Sequence, residues 1–485
     1  MTKTIADIVG TSVDFEILGD IERLLKGVAI DSREVKEGYL FAARKGTAMD
    51  GHLFIDQAIH NGAVAVCCEQ LPETIRPGVT YLKVNDMSDV LPGVVGRFYD
   101  FPSRELKLIG VTGTNGKTTV TSLAYNLFKD LGYSVGLIST IEILINDRHI
   151  KARLTTPDIV ELNDLLSQMV KAGCDYVFME VSSHAIDQGR IAGLNFTMGV
   201  FTNLTRDHLD YHGSFKEYIY AKKKFFDHLE RSSLALVNVD DGNGEVMVQS
   251  TRAQILRYSM RSLVDFKGKI LSNDNAGLEL QINDRRLISK LSGAFNGYNL
   301  LAVYGIASSM EIESEDDVLN ALSKLKPVRG RFDMVLTNPM VVVDYAHTPD
   351  ALENVLKTLK SIGKGRAITT IVGCGGNRDQ GKRPVMAAIA VRYSGKVVLT
   401  SDNPRYEDPV SIINDMMKGV QTEEKEKVIV EVDRKLAIES AIDDASRDDI
   451  ILIAGKGHEE YQEIRGERTF FSDHNIVRNK ISEDI

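Results

Sequence analysis

The sequence has few cysteines and no long apolar run. These two features argue against zinc-binding or disulfide-rich domains and against membrane-spanning segments. Its four cysteines, Cys67, Cys68, Cys174 and Cys374, include no C-x-x-C pair, so neither a zinc site nor a disulfide framework is favoured. No apolar stretch is long enough to span a bilayer, and the N-terminus lacks the apolar core of a secretion signal. A reducing cytoplasm is therefore the expected location.

An excess of positive charge is also missing. The formal net charge is −10, which argues against a general nucleic-acid-binding role but still allows local basic sites that bind anions. No Ser-His-Asp or Cys-His arrangement stands out, so a side-chain nucleophile is not indicated. The apolar content of 43% and the charged content of 26% are those of a soluble globular protein.

A glycine-rich turn at residues 113–119 has the composition and the context of a phosphate-binding loop. The segment GTNGKTT follows the apolar run LKLIGV and opens a helix-like run. Glycines let backbone N–H groups crowd around phosphate oxygens at the N-terminus of the helix. Lys117 can then reach the β- and γ-phosphates of a nucleotide, and the Thr118 hydroxyl can ligate Mg²⁺.

The spacing of this loop departs from the general P-loop pattern G-x-x-x-x-G-K, which would need glycine where Val111 stands. The loop has the shorter form G-x-x-G-K-T. An ordinary glycine-rich turn is the simpler alternative, but a lysine and two threonines between a strand and a helix favour nucleotide binding.

Length and the alternation of elements indicate a three-domain α/β protein. A chain of 485 residues suggests two to four domains. From Leu106 the pattern is strand, glycine-rich turn, helix and strand, which favours a parallel sheet covered on both faces. We predict domains at 1–102, 103–328 and 329–485. The second has a central P-loop ATPase-like parallel sheet, and the third has a doubly wound Rossmann-like fold.

The third domain carries the clearest alternation of elements. Its predicted strands are 341–344, 367–373, 396–401, 428–432 and 449–454. Its predicted helices are 349–362, 382–394, 409–420 and 434–446.

Candidate magnesium ligands follow two predicted strands of the second domain. Glu180 ends the apolar run DYVFM, at the strand edge where ligands gather in α/β sheets. A second strand is followed by Asp207, His208, Asp210 and His212. Taken alone, this cluster is as often a solvated loop as a site, and the lysine run 222–224 is usually a solvated helix face.

Nine motifs in one order resemble the Mur ligases of peptidoglycan synthesis. They are TGTNGKTT, MEVSSH, FTNLTRDHLDYHG, GAFNGYN, GRF, DYAHTPDAL, GCGGNRDQGKRP, DNPR and AGKGHEEYQ. The resemblance is greatest to the members that add meso-2,6-diaminopimelate to UDP-N-acetylmuramoyl-L-alanyl-D-glutamate. It implies that the first domain binds the UDP-sugar, the second ATP and the third the amino acid.

The resemblance implies roles for residues around ATP and magnesium. The implied phosphate-binding residues are Gly113, Thr114, Asn115, Gly116, Lys117, Thr118 and Thr119. Asn296 would lie near the adenine, while Arg331 and Asp344 would reach ATP from the third domain. The implied catalytic residues are Lys117, Glu180, His208 and Lys222. The implied magnesium ligands are Thr118, Glu180, His208 and Lys222. In this family the lysine equivalent to Lys222 is carbamylated, which replaces a cation by a carboxylate-like group.

Further roles are implied for the two remaining substrates. The residues matched to the muramoyl-dipeptide nucleotide are Ile30, Ser32, Thr155, Thr156, Ser182, Gln188, Arg190 and Lys222. A further stretch, residues 46–51, matches the family only at its ends. The residues matched to diaminopimelate are Arg378, Asp402, Asn403, Pro404, Arg405, Gly455 and Glu459. A guanidinium such as that of Arg405 grips a carboxylate with two hydrogen bonds, which suits the distal carboxylate that lysine lacks.

The implied reaction is the ATP-dependent formation of an amide bond. Transfer of the γ-phosphoryl group to the acceptor carboxylate creates an acyl phosphate, which the amine of the amino acid attacks to release phosphate. Lys117 and two metal ions would neutralise the transferring charge, and domain closure would exclude water. The expected partners are ATP, Mg²⁺, the nucleotide acceptor and diaminopimelate, with no nucleic acid and no membrane. A cytoplasmic monomer acting in cell-wall synthesis, and so in cell shape and division, is expected.

Three other functions compete with this interpretation. The nearest is a sister ligase, either one that adds lysine or a folylpolyglutamate synthetase. A P-loop switch or motor that only hydrolyses ATP would leave the glycine-rich turns of the third domain unexplained. A dinucleotide-dependent oxidoreductase using GCGGNRD would need the spacing G-x-G-x-x-G, which that segment lacks.

Overall fold

The computed structural model describes residues 1–10, 14–46, 49–310, 312 and 314–483, and it divides into two compact units. The first unit comprises Met1–Gly110 and Tyr133–Met198, and the second comprises Val111–Gly132 and Gly199–Ile485. Strands and helices alternate through both units, which confirms the predicted α/β class.

The strands of the described residues, in chain order, are β1 (Lys3–Thr4), β2 (Glu16–Leu18), β3 (Leu24–Leu25), β4 (Gly27–Ala29), β5 (Tyr39–Ala43), β6 (Ala63–Cys68), β7 (Thr80–Lys83), β8 (Lys107–Thr112), β9 (Val135–Ile138), β10 (Ile143–Ile145), β11 (Arg148–Ile150), β12 (Tyr176–Glu180), β13 (Met198–Phe201), β14 (Leu234–Asn238), β15 (Gln254–Ser259), β16 (Phe266–Asp274), β17 (Gly277–Ile282), β18 (Arg285–Ser289), β19 (Asp333–Thr337), β20 (Met340–Asp344), β21 (Ile368–Val372), β22 (Lys396–Leu399), β23 (Val428–Val430), β24 (Ile450–Ala454), β25 (Tyr461–Ile464) and β26 (Glu467–Phe470).

The helices of the same residues are α1 (Ile5–Val9), α2 (Ile55–His60), α3 (Met87–Phe98), α4 (Lys117–Asp130), α5 (Ile159–Lys171), α6 (Ser183–Asp187), α7 (Leu209–His212), α8 (Phe215–Asp227), α9 (Gly244–Met247), α10 (Ala294–Ser308), α11 (Glu315–Lys324), α12 (Pro349–Ile362), α13 (Lys382–Tyr393), α14 (Pro409–Met417), α15 (Arg434–Asp443) and α16 (Asp473–Glu483). None of these helices is long and apolar enough to cross a membrane.

The first unit contains a five-stranded sheet and part of a larger one. The smaller sheet has the order β2-β7-β6-β5-β4, in which only β2 runs antiparallel to its neighbour. Every residue of β6 except Val64 is buried, as expected for a strand covered on both faces. The strands β11, β10, β9, β12 and β8 follow in that order, with β9 and β12 parallel.

The C-terminal sheet of the second unit has the doubly wound arrangement predicted from the sequence. Its order is β19-β20-β24-β21-β22-β23, and all its strands are parallel except β19. Helices α12, α13 and α14 supply one apolar cluster against the sheet, and α15 and α16 supply another. Each predicted strand and helix of this region is confirmed, although α14 and α15 end earlier than predicted.

The prediction of a parallel central sheet was incomplete, because antiparallel strands extend it. In the second unit β15 and β16 are parallel, but β16, β17 and β18 form an antiparallel meander. Gly277 and Asn283 take positive φ angles of 137° and 48°, which permits tight turns between these strands. In the first unit β10 likewise pairs antiparallel with β9 and β11. The mixed sheet follows from these short hairpin turns, which leave no room for a crossover helix.

Candidate active site

The predicted phosphate-binding loop joins the end of β8 to the start of α4, and two glycines make its conformation possible. Gly113 and Gly116 have φ angles of 148° and 89°, which residues with a side chain rarely adopt. A Cβ atom on Gly113 would lie 1.9 Å from the Thr202 hydroxyl, and one on Gly116 would lie 2.8 Å from the Asn299 amide oxygen. The loop therefore packs so closely that neither position accepts another residue.

Residues Thr202 and Asn203, directly after β13, hold the backbone of this loop in place. The amide N–H of Thr114 donates to the carbonyl of Asn203 at 2.8 Å, and that of Asn115 donates to the Asn203 side chain at 3.0 Å. The Thr202 hydroxyl donates to the carbonyl of Asn115 at 2.6 Å. Thr202 and Asn203 therefore preorganise the loop. Both lie in the motif FTNLTRDHLDYHG, but the sequence by itself did not indicate this role for them.

Two lysines converge on the loop. Nζ of Lys117 donates to the carbonyls of Gly113 and Thr114, both at 2.8 Å. Nζ of Lys222 donates to the same Gly113 carbonyl at 2.9 Å, and its side chain is buried. Burial and the nearby Lys117 cation lower the pKa of Lys222 well below its usual value, which favours the neutral amine.

The alternative that residues 222–224 form a solvated helix face does not hold for two of the three lysines. Lys222 and Lys223 are buried, and Lys223 forms an ion pair with Asp227 at 2.6 Å. Lys224 is exposed. Nζ of Lys222 lies 4.9 Å from the centre of the Tyr218 ring on the same helix, so this amine contacts both α8 and the loop.

The histidine and aspartate cluster after β13 is only partly brought together. Nε2 of His208 lies 3.3 Å from Oδ2 of Asp207, and Nε2 of His347 lies 3.8 Å from the same oxygen. Burial raises the pKa of Asp207, but His208, His347 and Lys382 lower it to about 2. Asp210 is exposed. Among the described residues, no three His, Cys, Asp or Glu side chains form a metal-binding group.

Glu180 lies in the first unit, at the end of β12, with several predicted acceptor-binding residues around it. Its side chain is buried and accepts a hydrogen bond from the backbone N–H of Thr140 at 2.7 Å. The Thr156 hydroxyl donates to the Glu180 carbonyl at 2.7 Å and accepts from the N–H of Ser182 at 3.1 Å. Thr155 accepts a hydrogen bond from the Thr140 hydroxyl at 3.1 Å. These threonine and serine hydroxyls surround the strand end that carries the carboxylate.

Arg190 connects Gln188 to that group of residues, whereas Ser32 and Ile30 lie apart from it. Its guanidinium donates to Oε1 of Gln188 at 3.0 and 2.6 Å and to the carbonyl of Thr156 at 2.8 Å. Ser32 lies elsewhere in the unit, buried, and donates to Gln57 at 3.0 Å, while Ile30 packs against the core of the five-stranded sheet. Within the stretch 46–51, residues 47 and 48 lie outside the described residues.

In the second unit, Arg331 reaches the helix that carries the phosphate-binding loop. Its Nη2 donates to the Thr118 hydroxyl at 3.0 Å, and its guanidinium lies 4.2 Å from the centre of the Tyr345 ring. Its Nε is buried and has no hydrogen-bond partner in the protein. Asp344 accepts from the N–H groups of Phe332 at 2.6 Å and Ala346 at 2.7 Å. That carboxylate therefore fixes the backbone directly after Arg331 and directly after Tyr345.

Three further contacts in this unit involve the loop or its neighbours. The Asn115 amide donates to Asp350 at 2.9 Å, and Arg206 forms an ion pair with Asp379 at 3.4 Å. Asn296 accepts from the Asn299 amide at 3.0 Å, and Asn299 is the residue that faces Gly116. Asn299, Asp350 and Asp379 lie within the motifs GAFNGYN, DYAHTPDAL and GCGGNRDQGKRP, but the residue types by themselves do not indicate these contacts.

Four of the predicted amino-acid-binding residues form one cluster beside the C-terminal ends of β22 and β24: Asp402, Asn403, Gly455 and Glu459. The Asn403 amide donates to Glu459 at 2.8 Å, and the buried Lys456 donates to both residues at 3.0 Å. Asp402 lies 3.6 Å from the Lys456 amine. Gly455 has a φ angle of 110°, and a Cβ atom there would lie 3.1 Å from the Asp402 carboxylate.

Arg405 lies beside this cluster in a constrained conformation. Its φ angle is 52°, its N–H donates to the Glu463 carbonyl at 2.9 Å, and Nη1 donates to the Gly376 carbonyl at 2.8 Å. The Pro404 carbonyl packs so closely on Gly376 that a Cβ atom there would lie 1.9 Å away. Arg378 is exposed on the same loop. The Gly376 carbonyl therefore holds the Arg405 guanidinium, and strand β25 holds the Arg405 backbone.

Three family models match the chain in succession. Residues 24–99 match the model described as "Mur ligase family, catalytic domain", residues 111–307 match "Mur ligase middle domain", and residues 330–457 match "Mur ligase, glutamate ligase domain". Together the matches cover most of the sequence.

Similar proteins extend over the whole length. The UDP-N-acetylmuramoyl-L-alanyl-D-glutamate--2,6-diaminopimelate ligase of Phocaeicola vulgatus is 52% identical over 97% of this chain and 98% of its own. A solved structure of a ligase with that same name has a TM-score of 0.71 at 33% identity and covers 100% of this chain and 99% of its own. The MurF ligase of Thermotoga maritima, solved in complex with ADP, has a TM-score of 0.64 at 19% identity and covers 94% and 96%.

Proposed function

This chain belongs to the Mur ligase family, and we propose that it joins meso-2,6-diaminopimelate to UDP-N-acetylmuramoyl-L-alanyl-D-glutamate at the expense of ATP. One observation supports this substrate most directly: the Arg405 guanidinium donates to the Gly376 carbonyl, and the N–H of Gly376 donates to the carbonyl of Asn403, which belongs to the cluster with Asp402 and Glu459. A cation next to two carboxylates matches an amino-acid end that carries both a carboxylate and an ammonium group. Lysine has no such distal carboxylate, so this arrangement favours diaminopimelate over lysine. A lysine-adding ligase is the alternative function.

The proposed chemistry uses a phosphorylated intermediate. The acceptor carboxylate attacks the γ-phosphorus of ATP, the bond to the β-phosphate oxygen breaks, and ADP leaves. The amine of diaminopimelate then attacks the acyl carbon, an amide bond forms, and inorganic phosphate leaves as the amine loses a proton. Lys117 supplies a positive charge where the phosphoryl group transfers, and the N-terminus of helix α4 orients the phosphates.

Magnesium fits the donor set proposed for it. Thr118 and Glu180 supply oxygen atoms, which Mg²⁺ prefers, and His208 supplies an imidazole nitrogen. The buried carboxylate of Glu180 and the Thr118 hydroxyl at the N-terminus of α4 are groups that could hold it. When bound, the ion would neutralise phosphate charge in the transition state.

Carbamylation of Lys222 is part of the same proposal. A neutral amine adds to CO₂ to give a carbamate and one proton, whereas an ammonium group has no lone pair with which to attack. The burial of Lys222 and the nearby Lys117 cation support a neutral amine at this position. The carbamate would carry the negative charge that a magnesium ligand needs.

The other parts of the proposal follow from the substrates. We place the boundaries of the UDP-sugar-binding, ATP-binding and amino-acid-binding domains at 1–102, 103–328 and 329–485. ATP and nucleotide-linked precursors are cytoplasmic metabolites, so the cytoplasm is the proposed location and peptidoglycan precursor synthesis the proposed process. A monomer would suffice, because one chain supplies all three domains.

Replacing Arg405 by alanine should lower kcat/KM for meso-diaminopimelate by at least about tenfold. A charged hydrogen bond contributes roughly 1.5–3 kcal/mol, and each ~1.4 kcal/mol corresponds to a factor of ten. The ratio of kcat/KM for meso-diaminopimelate to that for L-lysine should fall with it, because the guanidinium attracts one substrate and repels the ammonium of the other. Steady-state assays with both amino acids measure this ratio.

The matched control for that experiment is Arg447→Ala, which removes an exposed arginine from the same region of the chain. Arg447→Ala should keep the parent's selectivity. A parent enzyme that prefers lysine would overturn the assignment of diaminopimelate. Full selectivity in Arg405→Ala would show that another group selects the substrate.

A further inference from the structure

One buried cation in the amino-acid-binding cluster has no role in the reaction as proposed. Lys456 follows β24 and its side chain is completely buried. Its Nζ lies 3.0 Å from Oδ1 of Asn403, 3.0 Å from Oε2 of Glu459 and 3.6 Å from Oδ1 of Asp402. A lysine is rarely buried unless it is paired, so this arrangement needs a physical reason.

The charges of the cluster do not cancel. Asp402 and Glu459 carry two negative charges, and Lys456 supplies one positive charge between them. The buried Arg434 is already paired with Asp473 at 2.8 Å. With both carboxylates ionised, these three side chains keep one negative charge, which is the charge that a single ammonium group neutralises. The neighbouring Arg405 cation is not counted, because it is proposed to meet the distal carboxylate of the substrate.

One acceptor in the cluster is left open. Oδ1 of Asp402 is buried and has no hydrogen-bond partner in the protein. Both ends of the Asn403 amide are engaged, since its oxygen accepts from Lys456 and from the N–H of Glu463, and its nitrogen donates to Glu459. Lys456 thus fixes the orientation of the Asn403 amide and leaves the Asp402 oxygen available to a ligand.

We propose that Lys456 is a positioning residue that keeps Asp402 and Glu459 both ionised, so that together they bind the ammonium group of diaminopimelate that is not acylated. The proposal rests on the proposed function, because it assigns a role within the same amino-acid-binding cluster. It also explains why a buried cation is retained in a site for a cationic group: without it, two adjacent buried carboxylates would share a proton.

The electrostatic surroundings of Glu459 support this role. The pKa of Glu459 lies above its usual value, because burial raises it and Asp402 raises it further, while Lys456 and the Asn403 amide limit the rise. Tyr345 and Tyr461 also lie within its electrostatic range. Arg434 also interacts electrostatically with Glu459, but its guanidinium forms an ion pair with Asp473. Lys456 is therefore the principal cation that favours the ionised form of Glu459.

Replacing Lys456 by methionine should raise KM for meso-diaminopimelate by at least about tenfold at neutral pH, the scale of a lost charged hydrogen bond. The loss should shrink as the pH rises, because the proton that replaces the lysine charge then leaves the carboxylate pair. KM for ATP and for the nucleotide acceptor should change much less. Discrimination between meso-diaminopimelate and 2-aminopimelate, which lacks the second ammonium group, should also fall.

Two further variants separate charge from packing. Lys456→Arg keeps the charge and should keep the parent's pH profile. The double variant Lys456→Met with Glu459→Gln removes one charge of each sign, and it should use diaminopimelate better at neutral pH than Lys456→Met alone. Thermal unfolding of each variant measures its stability, and the charge-balanced double variant tests the idea even where the single variant folds poorly.

The possible failures are distinguishable. If the parent does not ligate diaminopimelate, the proposed function itself is wrong. If the parent does, but Lys456→Met raises all three KM values equally with an unshifted pH profile, Lys456 only supports packing. A double variant that is worse than Lys456→Met at neutral pH would equally overturn the charge-balance role.

Discussion

Lys117→Ala should lower the rate of ligation at least about a hundredfold while leaving the protein folded. The side chain begins helix α4 and holds its amine over the carbonyls of Gly113 and Thr114. Those carbonyls belong to the loop that is proposed to bind the phosphates, so the amine is placed to neutralise charge on the transferring group. Losing one group that stabilises transition-state charge typically costs 10²- to 10³-fold.

A second effect adds to the first. The Lys117 cation lowers the pKa of the neighbouring Lys222. Without the Lys117 cation, the Lys222 amine binds a proton more readily. The protonated amine has no lone pair, so less of it can react with CO₂. Lys117→Ala should therefore also reduce carbamate formation at Lys222, which NMR of protein equilibrated with ¹³C-bicarbonate can detect.

The experiment compares Lys117→Ala with Lys129→Ala, which removes an exposed lysine from the last turn of the same helix. Steady-state kcat with all three substrates and thermal unfolding are measured for both. The control should match the parent in both measurements. Turnover of Lys117→Ala close to that of the control would contradict a role for this lysine in phosphoryl transfer.

Lys222→Ala should also lose at least about a hundredfold in kcat, and it should recover part of the loss when formate or acetate is added. The substitution removes a buried side chain and leaves a cavity beside the Gly113 carbonyl and the Tyr218 ring. A small carboxylate can enter that cavity and replace the proposed carbamate. Restoring one missing charge near the metal should return part of the electrostatic stabilisation.

Lys224→Ala is the matched control, because it removes an exposed lysine from the same run on helix α8. It should retain the parent's activity and show no response to added carboxylates. If Lys222→Ala were as active as Lys224→Ala, the amine would serve packing alone. Lost activity that no carboxylate restores, in a folded protein without a ¹³C carbamate signal, would argue against carbamylation.

Much of the C-terminal sheet and the phosphate-binding loop could be predicted from the sequence alone. The strands and helices of residues 340–454 are local features, marked by apolar runs of characteristic length and by capping residues such as Thr348 and Asp433. The loop at 113–119 is also local, since strand, glycines, lysine and helix follow one another directly. The antiparallel strands β16 to β18 were not predicted, because the prediction was based on strands that alternate with helices. Short turns, without helices, join these three strands.

The roles of individual charged residues depended on the tertiary structure. Lys222, Lys223 and Lys224 look identical in the sequence, yet only Lys222 is buried against the carbonyl of Gly113, 109 residues away along the chain. Lys456 carries no signal that distinguishes it from a surface lysine, but folding places its amine between Asn403 and Glu459. The sequence alone determined which chemistry is available, because residue types and local spacing are written in it. The fold decided which of those groups lose water and acquire partners, because burial and charge pairing arise between segments that are distant in the chain.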